Sequence, residues 1–204
     1  MNKISVMQRA LGPAWTALPP ALKNHYQHAE HYDEGRLDID YPGYLHPFFI
    51  LLNSFGALVD RRGSNVPTRV EKKMRGDNQY WARTIRFPDG KVVIFNSRWV
   101  HEAGNRLIEF VNPFLGLRMA VRVESGELHY ESINYVFQLW SLRLSIPEWL
   151  MLGKASIVES ALDERRFVMD FRLRQPLLGQ IFSYSGQFST VPAVSPGNAT
   201  DLQD

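Results

Sequence analysis

The chain has 204 residues, with 23 basic against 21 acidic side chains, 45% hydrophobic and 12% aromatic residues, and no cysteine. Such a composition fits one domain able to bury roughly 70% of its unfolded surface, and it excludes wholesale disorder. Without cysteine there is no disulfide, no thiolate nucleophile and no cysteine-ligated zinc or iron–sulfur cluster, so any metal site must use histidine and carboxylates.

From the N-terminus, Met1 to Leu11 carries Lys3 and Arg9, but no apolar run follows of the kind a signal peptide needs. Val6 to Leu18 has apolar residues near helical spacing, broken at Pro13. Pro19 and Pro20 stop that pattern and open a second short helix through Tyr26. Gly35 to Tyr41 alternates apolar and polar residues with the period of a strand, and Pro42-Gly43 ends it. The stretch from His46 to Val59 reads as a buried helix, and it falls short of the about 20 apolar residues that a spanning helix requires. A cytoplasmic protein is the expectation.

From Pro67 the texture changes to short period-two runs between turn residues, the antiparallel β signature. Thr68 to Met74, Gln79 to Phe87 and Val92 to Ser97 are joined by turns at Gly76-Asp77-Asn78 and Pro88-Asp89-Gly90. Further strands are predicted at Leu107 to Val111, Leu117 to Glu124, Leu128 to Leu139, Leu142 to Ser145, Ala155 to Leu162, Arg166 to Leu173 and Gln180 to Phe188. Residues 1–188 form one domain on this reading, and residues 189–204, with Pro192, Pro196 and Gly197, form a disordered tail. So many strands without long crossover helices exclude a doubly wound parallel sheet. The expected fold is α+β: a strongly curved antiparallel sheet, a calycin-like barrel or half-barrel, plugged or lidded by the N-terminal helices.

Positive charge is concentrated between residues 67 and 98, where eight basic groups, Lys72 and Arg83 among them, face three acidic ones. Such a surplus can attract an anionic ligand, a membrane surface or a nucleic-acid backbone, but a solvated strand face explains it equally. No zinc-finger spacing or recognition-helix pattern supports nucleic acid as a partner.

Several local patterns, in order, point to a family. Trp81-x-Arg83 precedes the Pro88-Asp89-Gly90 turn, and Phe95-x-Ser97 follows it; then come Gly104, Ile108-Glu109, Pro113 and Gly126-Glu127-Leu128. Ile146-Pro147-Glu148-Trp149-Leu150, Pro176-Leu177-Leu178-Gly179 and Tyr184-x-Gly186 complete the series. Over residues 10–188 the chain resembles the bacterial family called domain of unknown function 4166. That resemblance implies a standalone protein or a module attached to NAD(P)-binding proteins of the saccharopine-dehydrogenase type, and it carries no established chemistry. The chain itself has no G-x-G-x-x-G fingerprint, so no cofactor is expected; any oxidoreductase connection would run through a separate partner, docked on the apolar Phe48 to Val59 segment.

Trp81, Arg83, Ile85 and Phe87 share one strand face, and an arginine among apolar neighbours needs a partner. Glu109, alternating with Leu107 and Val111, is the candidate. The pair reads either as an ion pair tying strands or as a clamp for a carboxylate or phosphate. Phe95 and Tyr184 would add aromatic surface to a cup holding a small hydrophobic or amphipathic anionic molecule, a binding rather than a catalytic role.

His129 and Glu131 share a face with Ile133, Tyr135 and Phe137, and could serve as a general base or as two metal ligands. An enzyme would require them to converge with Arg83 and Glu109. A catalytic zinc needs about three protein ligands, and the other downstream histidine, His101, falls in a loop; no catalytic or metal residue is assigned. His25, His28 and His31 stand three apart, but Asp33, Glu34 and Gly35 follow at once and favour a polar linker.

Overall fold

The computed structural model describes residues 4–27, 31–56 and 58–192. Two short helices open the chain. In α1 (Val6–Leu11) Ser5 and Gln8 form a reciprocal capping box that satisfies the first free amides, and the helix ends at Gly12, which takes the positive φ that glycine tolerates best. One 3-10 segment later, α2 (Pro20–Tyr26) starts with proline at its first turn, where the missing N–H is harmless. Both bury one face: Val6, Met7, Ala10 and Leu11 from α1, and Ala21, Leu22, His25 and Tyr26 from α2.

Among the described residues eleven strands follow, with one further α-helix and two 3-10 segments between them. They are β1 (His31–Asp40), β2 (Gly63–Arg75), β3 (Asn78–Arg86), β4 (Val92–Ala103), β5 (Arg106–Phe110), β6 (Leu115–Glu124), β7 (Glu127–Leu139), β8 (Leu142–Ile146), β9 (Lys154–Ala161), β10 (Arg166–Gln175) and β11 (Gly179–Pro192). The order β6-β5-β4-β3-β2-β1-β11-β10-β9-β7 returns to β6 through a β6–β7 ladder, closing a ten-strand antiparallel barrel, while β8 hangs on the far half of β7. Closure removes the open edges that a wide sheet would otherwise present. Gly35 and Gly186 let β1 and β11 pass closely: a Cβ on either would collide with the backbone of the facing strand.

The antiparallel registers define two ends. The plugged end holds α1, α2 and the turns after β2, β4, β6 and β9; Arg9 of α1 bonds Asp77 in the β2–β3 turn. The other end carries α3 (His46–Ser54), the 58–62 segment and the turns after β3, β5, β7 and β10.

Several sequence expectations change, and His101, expected in a loop, lies in β4 paired with Leu107. The helix after Pro42 spans only His46–Ser54 and buries Phe49 alone; Asn53, Ser54 and Gly56 stop it, and only one of its faces meets the barrel. It is therefore a largely exposed helix rather than a buried one. In β7 a register shift skips Ile133, so Tyr135 turns inward with Leu128 and Tyr130 instead of sharing an outer face with His129. The strand β11 continues through Ser189–Pro192, paired with β1, because Thr190 is bonded inside; the remainder of the expected tail lies outside the described residues. His25 is no linker residue but a buried one, while His28 lies outside the described residues. Among the described residues no helix is long and apolar enough to cross a membrane.

Candidate functional site

Period-two alternation in a closed barrel sends every second side chain into the lumen. Most are apolar, and the core runs continuously from the α1 face through Trp81, Trp99, Tyr130, Phe167 and Phe188 to Phe182 and Phe49 near α3. Set into this core are three polar groupings.

The first spans three adjacent strands. Arg83 of β3 donates to Ser97 Oγ of β4 at 2.9 Å and to Glu109 Oε1 of β5 at 3.1 Å. Its guanidinium lies 5.6 Å from the Trp81 ring centre and 5.4 Å from that of Phe95. Burial disfavours the charge, but Glu109 outweighs it and keeps Arg83 firmly protonated. Tyr184 faces them from β11, its hydroxyl held neutral by burial against the opposing pull of Arg83. Trp81, Arg83, Phe95, Glu109 and Tyr184 are thus brought together in the lumen.

The second lies at the plugged end. Asp33 of β1 accepts from Lys72 Nζ of β2 at 2.8 Å, from His25 Nδ1 at 2.8 Å and from Thr190 Oγ1 of β11 at 2.6 Å. All the acceptor oxygens of this carboxylate point at donors. Burial raises its pKa, yet His25 and Lys72 together overcome that and hold Asp33 ionised well below the usual carboxylate range. His25 is pushed down to about 4, first by burial and then by the Lys72 charge, so it stays neutral in the Nδ1–H tautomer that donates to Asp33.

The third is a hydroxyl chain. Tyr130 bonds Tyr26, whose hydroxyl lies 2.8 and 2.6 Å from the two oxygens of Glu159 in β9. Burial drives the Glu159 carboxyl up to about 8, only partly countered by the Tyr26 hydrogen bond, so it carries its proton at neutral pH. Consecutive residues at the end of α2, His25 and Tyr26, therefore serve two different networks that lie side by side around the plug.

The expected hollow is largely filled. Among the described residues, small chambers remain, three of which share Tyr184 in their walls. One, of about 30 Å³, is lined by Trp81, Arg83, Trp99, Glu109, Tyr130 and Glu159 among others. Two more apolar ones, of about 50 and 70 Å³, extend toward the α3 end between Leu58, Phe95 and the β10–β11 wall. The Nε1–H groups of Trp81 and Trp99 are buried with no acceptor among the described residues. A larger groove of about 920 Å³ runs along the outer wall past Tyr80 and Phe110, but it is open, and its cations Arg75 and Arg98 lie over those rings. Convergent buried polar groups favour the lumen as the site.

His129 and Glu131 do not join it. Both point outward from β7: His129 lies 3.4 Å from Glu127, and Glu131 pairs with Arg122 at 2.9 Å and Lys154 at 3.2 Å. Those hydrogen bonds keep the Glu131 carboxyl below its ordinary range. An enzyme needing them beside Arg83 and Glu109 is ruled out by the alternation that sends Leu128 and Tyr130 inside. Among the described residues no three histidine or acidic side chains are placed to hold a metal ion.

Tyr26, Asp33, Lys72 and Glu159 were not singled out from the sequence. Parity was the available signal: Lys72 alternates with Val66, Thr68 and Val70, and Glu159 with Ala155 and Ile157. Two members of the apparent basic surface, Lys72 and Arg83, consequently belong to the interior.

The family model described as Domain of unknown function (DUF4166) matches residues 18–188, from the start of α2 through nearly all of the barrel. A comparison with curated proteins found no match.

Proposed function

Since the chain belongs to the DUF4166 family, whose description assigns no chemistry, we propose from the site alone that the barrel binds a small amphipathic carboxylate or similar acceptor-bearing molecule without transforming it. The observation that carries this reading is the pair of unpartnered donors at the smallest chamber, the indole N–H groups of Trp81 and Trp99, beside the Arg83–Glu109 pair. Arg83 and the two unpartnered indole N–H groups of Trp81 and Trp99 are donors with no accepting capacity, and they line the same space. A carboxylate fits a chamber of about 30 Å³ and supplies the missing acceptors. The apolar chambers, both of which Leu58 lines, would take a short hydrocarbon tail. Leaving two indoles unpaired costs stability, which ligand binding would recover.

The test uses decanoate as probe, read by tryptophan fluorescence and by native mass spectrometry of the purified protein. Wild type is expected to bind. The double variant Arg83→Met, Glu109→Leu, which removes both charges together and so leaves none unpaired, should bind about tenfold or more weakly while melting near the wild-type temperature. Equal binding by the two proteins, or no response from wild type, would remove the reading.

A further inference from the structure

We propose that the α3 end of the barrel is a docking surface for an anionic lipid bilayer. All but Ile4, Ile133 and Leu162 of the large apolar side chains that the described residues expose belong to segments at or beside this end. They come from separate tips: Tyr44 and Phe55 flanking α3, Phe114 after β5, Trp140 after β7, Trp149 before β9 and Leu177 after β10. Trp140 is 90% exposed and Leu177 89%, values far outside what a soluble surface needs.

The tips form a connected rim. Asn112 donates to the Phe55 carbonyl, Phe114 stacks on Phe137, Gln175 reaches the Trp149 carbonyl, and Arg61 pairs with Asp89 across the β3–β4 turn. A rim held by such contacts presents its side chains together.

The rim aromatics suit a protein interface and a headgroup boundary alike; the exposed cations without carboxylate partners beside them are what point to an anionic bilayer. Tryptophan and tyrosine with an apolar body and a polar edge suit the headgroup boundary, where one part of the ring is dry and the other wet. At the same end Arg62, Arg86, Lys91, Arg143 and Arg174 are exposed, and none forms an ion pair among the described residues. The acidic groups there are Asp38, Asp40, Asp60, Asp89 and Glu148, of which Asp89 pairs with Arg61 and Glu148 is bonded by the neutral Ser132 hydroxyl, so the cations, Arg61 included, outnumber the carboxylates only slightly. The unpaired cations match anionic headgroups. Farther from the rim the outer wall bears Arg36, Arg69, Glu131, Asp170 and Arg172, a charged girdle unlike the apolar band of a spanning barrel, so contact is limited to the rim.

This proposal stands apart from the lumen reading and is tested apart from it. The experiment is flotation of the full chain with phosphatidylcholine vesicles, plain or with about 30 mol% phosphatidylglycerol. Wild type should float with the anionic vesicles and release as salt rises. Trp140→Ala with Trp149→Ala should weaken binding about tenfold or more without shifting the melting temperature, since both side chains are exposed. Brominated phosphatidylcholine should quench the tryptophans of wild type. The Arg83→Met, Glu109→Leu variant should float like wild type, whatever it does with decanoate. No flotation, flotation unchanged by the tryptophan pair, or a wild-type dimer that this pair converts to monomer would overturn the proposal; the last would assign the rim to a second copy of the chain.

Discussion

The two ends of the barrel solve opposite problems. At the plugged end, ionisable groups are buried and partnered: Asp33 with Lys72, His25 and Thr190, and Glu159 with Tyr26, which also bonds Tyr130. The indole N–H groups of Trp81 and Trp99 and Gln79 Oε1 are left there without a partner among the described residues. At the α3 end apolar groups are exposed, and the single helix covers the mouth with Phe49 while turning Ile50, Leu51 and Phe55 to solvent. Stability is concentrated where α1 and α2 enter the lumen, and surface chemistry is concentrated on the far rim. Substitutions at the two ends should differ accordingly.

The largest effect is expected for Asp33→Ala. It strands the Lys72 ammonium, whose side chain is only 2% exposed, and removes the acceptor for His25 and Thr190. Chemical denaturation should show a loss of about 5 kcal/mol, the upper part of the range for breaking a buried ion pair. A loss below about 1 kcal/mol, the range of exposed pairs, would mean that the pair is hydrated and the plug loose.

Next comes the pH dependence set by Glu159. Its folded pKa of about 8 stands above the ordinary carboxylate value, so the folded state holds a proton that the unfolded state has released. The stability linked to this group is complete below the unfolded pKa, near 4.5, and declines as pH rises to about 8. Glu159→Gln keeps the shape and cannot ionise. Relative to wild type it should gain on the order of 4 kcal/mol between those limits, measured by urea unfolding across the pH series. His25, depressed to about 4, acts in the other direction: its linked stability is present above about 6.5 and is lost as pH falls toward 4. Parallel profiles for wild type and Glu159→Gln would contradict the assignment of a protonated Glu159.

The smallest effect is expected at the rim. Trp140→Ala should change unfolding free energy by less than about 0.5 kcal/mol, because a side chain 90% exposed has little packing to lose. A larger loss would show that the hairpin of β7 and β8 is packed against something in solution and would weaken the contrast between the ends.

Much of the architecture was legible in advance because it rests on local rules. Period-two runs between Gly, Pro, Asn and Asp turns marked nearly all the strands, and helical spacing with proline breaks marked the two opening helices. The Arg83–Glu109 contact followed the same logic, since both residues interrupt apolar faces of strands that flank β4. His129 and Glu131 misled because alternation identifies faces without saying which one is inside. The bulge that skips Ile133 further changes the parity along β7. Helix α3 misled in another way: its apolar content implied burial, but burial depends on what the fold sets beside it.

Sequence alone therefore determined the antiparallel character of this protein, the approximate placement of most strands and the need for an internal partner for Arg83, because backbone alternation, turn chemistry and the desolvation of a charge are local constraints. Tertiary structure decided that Asp33, Lys72, His25, Tyr26 and Glu159 meet around α2, and that the rim side chains collect at one end. Those groups come from distant parts of the chain, and the β1–β2 and β1–β11 ladders, the packing of α2 and the closure of β6 on β7 together set their distances.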